Sequence, residues 1–231
     1  MISPFVAILP SAGSGSRFNS DIPKQYCPIG DQMIIEFSLE LLAKVDECQA
    51  ICIPVSKNDV YHKEIADHPK FHFIEGGASR AESVKKGVDF LDSENLTYNN
   101  ILIHDPVRPC LTKAELKRML TEFCDSAFQA LILAVPVSDT LKLSENNHIQ
   151  STISRENVWR ALTPQFFKFD IIKEAVDLAK NEGRIFTDEA QAVEHLGGEV
   201  DIVLGHTDNI KITFEEDLQL ARYFLSSRGE L

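Results

Sequence analysis

The chain reads as a single α/β domain built on one doubly wound, mostly parallel sheet, with a β-hairpin arm protruding from it. Three observations predict this. Short apolar runs rich in Val, Ile and Leu alternate with segments whose apolar residues recur at helical spacing, the pattern of strands joined by helical crossovers. Polar or small-residue motifs follow several of those runs directly, at Ser11 to Arg17, Gly76 to Arg80 and His104 to Arg108. Ligands of such sheets bind at the carboxyl ends of strands. The alternation breaks once, between Ser138 and Trp159, into two alternating strips around a polar turn, which is hairpin chemistry.

In chain order, Phe5 to Leu9 is a buried parallel strand and Met33 to Val45 a helix, with Ile34, Phe37, Leu41, Leu42 and Val45 at helical spacing. Gln49 to Val55 is a second buried strand, and Asp59 to Ala66 a short helix. Phe71 to Ile74 is a short strand closing on the Gly76-Gly77 turn. Ala81 to Leu91 is a helix with Val84, Val88 and Leu91 on one side, and Ile101 to Ile103 a strand running into His104-Asp105. Thr112 caps a helix to about Phe123, with Glu115 completing a capping box, and Ala130 to Val137 is another buried strand. Asp139 to Leu143 and Ile149 to Ile153 form the arm, at about 138–156. An isolated hairpin is marginal in water, so the arm needs a surface to pack on, such as a second subunit. Helices at Asp170 to Asn181 and Asp188 to Leu196, strands at Val200 to Leu204 and Asn209 to Thr213, and a helix at Glu215 to Leu225 complete the expectation.

The 231 residues suffice for one large core, and 44% hydrophobic content argues against disorder. A net charge of −12 disfavours nucleic acid or an anionic membrane as partner, and it makes local clusters of Arg and Lys informative. The opening run is too short and lacks the basic start of a signal peptide, and no stretch is long enough to span a membrane. Five scattered cysteines (Cys27, Cys48, Cys52, Cys110, Cys124) without zinc spacing read as reduced thiols of a cytoplasmic protein, mostly packing residues.

The first loop carries the first chemistry. Ser11, Ala12, Gly13, Ser14, Gly15 and Ser16 have little side-chain bulk, so a ligand can approach their N–H groups, and Arg17 and Lys24 add cations. N–H groups with cations suit a nucleoside triphosphate. The loop lacks the Lys-Ser/Thr pair of a P-loop, and Phe18 stands where a dinucleotide fingerprint has its third glycine. Taken alone, the glycines fit a flexible turn equally well.

Some later motifs admit two readings. Gly76, Gly77, Ala78 and Ser83 could read a base edge through N–H and hydroxyl groups, or form an ordinary turn capped by Ser79 and Glu82. Asp105 is a candidate magnesium ligand, and Arg108 between prolines suits gripping phosphate; alternatively the two pair to hold the turn. Arg155 by itself reads as a solvated arm charge, and Thr163 before Pro164 as a residue that shapes a turn. Thr187 or Asp188 caps a helix. Lys211 lies in an apolar, strand-like run, where an inward ammonium needs an anionic partner.

Together these motifs resemble one family. Pro10 to Arg17 with Pro23-Lys24-Gln25-Tyr26 resembles the signature loop of nucleotidyltransferases that act on sugar and alditol phosphates. Gly76-Gly77…Arg80-Ala81-Glu82-Ser83, His104-Asp105…Arg108-Pro109, Pro136-Val137…Asp139-Thr140, Ala161 to Gln165, Thr187 to Ala190 and Asp208 to Thr213 narrow the resemblance to the 2-C-methyl-D-erythritol 4-phosphate cytidylyltransferase family of the non-mevalonate isoprenoid pathway. It runs from about Val6 to Phe224.

The resemblance implies a nucleotidyltransferase-like, Rossmann-type fold, a homodimer formed through the arm, and CTP with a small alditol phosphate as substrates, with Mg2+ or another divalent cation as cofactor. It places Ser11 to Gly15, Gly76, Gly77, Ala78 and Ser83 around CTP, and Arg17 and Lys24 on its phosphates. Asp105, Arg108, Thr163, Thr187, Asp208 and Lys211 line the acceptor and metal region, with Asp105 and Asp208 as metal ligands. Thr140 and Arg155 reach the partner subunit's substrate, and Arg17, Lys24, Arg155 and Lys211 carry catalysis.

Departures from the family pattern are Ser11 for alanine, Pro106-Val107 for Ala-Ala, and Ala78 for aspartate. Proline removes an N–H and stiffens the Asp105 loop. The competing readings are a ribitol 5-phosphate cytidylyltransferase and a nucleotide-binding regulator without catalysis.

Overall fold

The computed structural model describes residues 2–13, 18, 22–94, 96–124 and 127–231. Its strands are β1 (Phe5–Ile8), β2 (Pro28–Ile29), β3 (Gln32–Met33), β4 (Cys48–Val55), β5 (Phe71–Glu75), β6 (Asn100–Ile103), β7 (Ala130–Pro136), β8 (Leu141–Glu145), β9 (His148–Ile153), β10 (Trp159–Lys168) and β11 (Val200–Leu204). Its helices are α1 (Ile34–Ala43), α2 (Arg80–Ser93), α3 (Lys113–Cys124), α4 (Phe169–Asn181), α5 (Glu189–Leu196) and α6 (Glu215–Ser227). The described residues form a seven-stranded sheet in the order β11-β7-β10-β6-β1-β4-β5.

Period-two alternation sorts the core into two layers. Phe5, Ala7 and Leu9 point to the face covered by Ile35, Leu39 and Leu42 of α1 and Leu116, Met119 and Phe123 of α3. Val6 and Ile8 point to the other face, against Val84, Val88 and Leu91 of α2, Ile172 and Val176 of α4, and Val193 of α5. A third cluster seats α6 through Ala221 and Leu225 on Ile29, Ile34, Val107, Cys110 and Ile212. All five cysteines are free, four of them buried.

β6, β1, β4 and β5 run parallel, so the loops after Ile8, Val55, Glu75 and Ile103 share one edge of the sheet. In the seven-stranded sheet the unexpected strand is β10. It lies antiparallel between β6 and β7, although Pro164 in its middle reads as a turn signal. Its register with β7 shifts between Ala161 and Gln165, which gives Thr163-Pro164 a place outside the ladder. Gln165 sits opposite Ile103, so Thr163 stands beyond the carboxyl end of β6.

Asn209 to Thr213, expected as a strand, joins no sheet; one backbone bond to Val107 and side-chain bonds from Lys24 and Asn209 hold it instead of a ladder. β8 and β9 form a separate two-stranded sheet, and every residue of β9 is exposed. Asn146 and Asn147 turn the hairpin with positive φ, which asparagine tolerates best after glycine. Among the described residues, no helix is long and apolar enough to cross a membrane.

Candidate active site

Asp105 is the centre of the site. It follows β6, is 5% exposed, and among the described residues stands between three cations. Arg80 Nε lies 3.0 Å from Oδ1, Lys211 Nζ 2.8 Å from Oδ2, and Arg108 Nε 3.7 Å from Oδ2. Burial alone raises a carboxyl pKa; here Arg80, Lys211 and Arg108 overcome it and hold Asp105 far below the usual carboxylate range. Arg80 also donates to Glu189 at 2.5 Å. Burial works against the Arg80 charge, but Glu189 and Asp105 outweigh it and keep the guanidinium protonated. Burial pushes the Glu189 carboxyl up, with Arg80 opposing.

The loops around Asp105 brace one another. The Asp105 N–H donates to Thr163 Oγ1 at 3.0 Å, and that hydroxyl also bonds His104 Nδ1 at 3.0 Å. Burial pushes the His104 imidazole down to about 4, so it is neutral at pH 7. Asn209 donates to Thr163 O at 3.0 Å and its own carbonyl accepts from Arg108 at 2.7 Å. Ile212 N–H donates to Val107 O at 2.9 Å, and the two side chains share the third apolar cluster. The Pro106-Val107 pair that departs from the family pattern is thus an anchor for the segment carrying Lys211.

The loops expected to hold the nucleotide lie on the same edge. Lys24 Nζ donates to Ile212 O at 2.8 Å, which brings it beside Lys211. A Cβ on Gly76 would stand 2.6 Å from Ala12 Cβ, so the first loop and the glycine turn pack with no room for a side chain there. Within the turn, Gly77 N–H donates to Ser83 Oγ at 3.0 Å and Ala78 N–H to Glu82 at 2.8 Å. Ser83 in turn donates to Ser79 O at 2.9 Å. The two N–H groups expected to read a base are thus engaged by Ser83 and Glu82. Gly13 is exposed. Ser14, Gly15 and Arg17, also expected here, lie outside the described residues.

Several expectations change. Ser11 is internal: its hydroxyl donates to Leu9 O, its N–H to Pro54 O, and its carbonyl accepts from Gln25 at 2.7 Å. It shapes the loop from below, because every polar group it has is used within the fold. Thr163 likewise spends its hydroxyl on Asp105 and His104. Thr187 bonds Gln191 with both N–H and hydroxyl, just ahead of α5. Asp208 pairs with Arg228, which also donates to Cys110 O at 2.8 Å, tying the loop to the end of α6.

Asp105 therefore does not fit the magnesium role expected of it, and Asp208 has one oxygen committed to Arg228. Both oxygens of Asp105 already face cations, and a divalent ion placed there would meet three like charges. Among the described residues no group of three or more His, Cys, Asp or Glu is arranged to hold a metal. Thr140 and Arg155 are exposed on and beside the arm, with Arg155 bonded to Ser138 O. Neither belongs to the Asp105 cluster of its own chain among the described residues.

The sequence reading missed Arg80, Glu189, Gln165 and Asn209 as site residues. Gln165 is 1% exposed and clamps the start of α5, donating to Asp188 at 2.9 Å and accepting from Ala190 N–H at 3.1 Å. Arg80 did carry a signal. A cation at the first helical position opposes the helix dipole and needs a compensating carboxylate.

A mostly parallel sheet with a cation-rich cluster and glycine loops along its carboxyl edge defines a nucleotidyltransferase-like α/β protein. The chain belongs to the family described as IspD, 2-C-methyl-D-erythritol 4-phosphate cytidylyltransferase, whose sequence model matches residues 5–227. It is 38% identical over 227 residues to the 2-C-methyl-D-erythritol 4-phosphate cytidylyltransferase of Haemophilus influenzae (strain Rd), covering 98% of both chains. It is 39% identical over 229 residues to that of Enterobacter sp. (strain 638), covering 97% of this chain and 95% of the relative. The crystal structure of the Francisella tularensis enzyme superposes with a TM-score of 0.83 at 29% identity, over 96% of this chain and 100% of that one.

Proposed function

We propose that the chain transfers the cytidylyl group of CTP to the phosphate of 2-C-methyl-D-erythritol 4-phosphate, releasing pyrophosphate, as the family to which it belongs does in isoprenoid precursor synthesis. The observation that carries this reading is the meeting of two cations on one segment. Lys24, from the triphosphate loop, bonds Ile212 O, and the adjacent Lys211 bonds Asp105. One short stretch of backbone thereby joins the leaving-group side of the reaction to the acceptor side.

The chemistry needs positioning more than acid–base help. A phosphate-monoester oxygen attacks the α-phosphorus of CTP, the bond to the bridging oxygen breaks, and pyrophosphate leaves with the electron pair. The monoester is already an anionic nucleophile near neutral pH, so no general base is needed. His104 is fully buried and its Nδ1 is committed to Thr163, which fits that scheme. The barrier is the approach of two polyanions and charge growth on the leaving group, and fixed cations lower both. Lys24 and Arg17 serve the triphosphate. Arg108 and Lys211 serve the acceptor phosphate, and Asp105 accepts from the alditol hydroxyls. No step runs through a protein-ligated magnesium, since the carboxylates expected to hold it are engaged by cations; a divalent ion would take its ligands from the triphosphate oxygens.

The arm, at about 138–156, supplies the second half of the acceptor pocket in a homodimer, with Thr140 and Arg155 reaching the partner's site. Its fully exposed β9 and the exposed Leu143, Ile149 and Ile153 support this, since such a hairpin needs a packing surface. Five free thiols fit a cytoplasmic enzyme. The test is pyrophosphate release with each nucleoside triphosphate crossed with methylerythritol phosphate and ribitol 5-phosphate. Release with CTP and methylerythritol phosphate is expected. Preference for ribitol phosphate would change the acceptor, and CTP binding without release would make the chain a regulator.

A further inference from the structure

We propose that Arg80 and Glu189 are positioning residues for the acceptor: Glu189 fixes the Arg80 guanidinium, and Arg80 fixes the orientation of the Asp105 carboxylate. The inference rests on the reading of Asp105 as a hydroxyl acceptor for the alditol phosphate. The geometry is a chain of contacts between three segments distant in sequence. Glu189 Oε1 lies 2.5 Å from Arg80 Nη1, and Arg80 Nε lies 3.0 Å from Asp105 Oδ1. Arg80 opens α2, Glu189 opens α5, and Asp105 follows β6.

The pair is poorly built for stability alone. Glu189 is 4% exposed, and removing such a carboxylate from water is costly. A stabilising pair would use both oxygens against both terminal nitrogens. Here Arg80 Nη2 and Glu189 Oε2 are buried without hydrogen-bond partners. Arg80 instead turns its Nε edge toward Asp105. The other two cations on Asp105 both lean on Oδ2, so among the described residues Arg80 alone holds Oδ1 and thereby sets the carboxylate's rotation. Gln165 keeps Glu189 in register by clamping Asp188 and Ala190 on either side of it.

The test is steady-state kinetics of the full chain with CTP and methylerythritol phosphate varied separately. Arg80→Met should raise KM for methylerythritol phosphate by about tenfold or more while leaving KM for CTP within about twofold, and Arg80→Lys should restore part of the loss. In an Asp105→Asn background, Arg80→Met should add less than about twofold, because two residues acting through one contact are not additive. Glu189→Gln keeps an acceptor for Arg80 and should fall between wild type and Arg80→Met, and it reads the same contact if Arg80→Met does not fold. Equal effects on both KM values, or full multiplication of the Arg80→Met effect on Asp105→Asn, overturn the inference alone. No pyrophosphate release by the unaltered chain overturns the function and the inference together.

Discussion

Replacing His104 by Gln should remove an acid sensitivity of about 3 kcal/mol that the wild-type fold carries between pH 6.5 and about 4. The imidazole is fully buried, its Nδ1 faces Thr163 Oγ1 at 3.0 Å, and its backbone N–H donates to Ile8 O. Burial pushes it down from 6.5 to about 4, with the Asp105 charge opposing. The unfolded chain takes up a proton near 6.5, and the folded chain does so only near 4. Stability present above 6.5 is therefore lost as the pH falls through that window. At about 1.4 kcal/mol per pH unit the full loss is about 3 kcal/mol, of which about 2 has gone by pH ~5. Glu189, pushed up by burial, works with the opposite sign, because its protonation on acidification relieves a cost. Asp105, held low, contributes only below its unfolded value. Both are common to wild type and variant, so the difference between the two curves isolates His104. Gln keeps a polar group against Thr163 and takes no proton. Urea unfolding followed by circular dichroism from pH ~7.5 to ~4.5 reads the difference as a shift in midpoint. Parallel curves for wild type and variant across the window would refute the reasoning.

The remaining predictions concern the site and its frame. Lys24→Ala should lower turnover about a hundredfold or more with the circular dichroism spectrum unchanged, since one preorganised cation on the triphosphate is lost; near-normal turnover would end its assigned role. Arg155→Ala should be inactive alone, yet regain up to about a quarter of wild-type activity when its subunits are exchanged with those of Lys24→Ala, since half the dimers then hold one intact site; no regain despite demonstrated exchange would argue against a shared site. Gln165→Leu should cost about 1–3 kcal/mol in urea unfolding, because the buried Ala190 N–H loses its partner; an unchanged midpoint would show that the clamp contributes nothing.

The parts of this fold that were legible from sequence are those whose signal is local. β1, β4 and β7 are runs of apolar residues that only a buried strand accommodates, and the Thr112-Glu115 capping box formed as its spacing implied. β10 was hidden because Thr163-Pro164 reads as a turn, and the register shift that admits the proline depends on β7, which the local sequence does not show. The Asn209 to Thr213 segment was mistaken for a strand for the converse reason. Its apolar alternation is real, with Ile212 fully buried, but its bonds go to Val107, Thr163 and Lys24 instead of a neighbouring strand.

The candidate site divides along the same line. Lys211 was expected to need an anion, and it has one, but that anion is Asp105 of the same chain. The Asp105 cluster, the proposed acceptor pocket, is thus a self-neutralising lattice with a small excess of positive charge: Arg80, Arg108 and Lys211 against Asp105 and Glu189. Such a lattice can hold a monoester dianion without the cations repelling one another apart before it arrives, since the carboxylates separate them. It also explains why a carboxylate that resembles a metal ligand in sequence is not placed as one. Its charge is already spent on keeping three cations together, and a substrate hydroxyl, which asks only for a hydrogen-bond acceptor, is the partner that the arrangement can still serve.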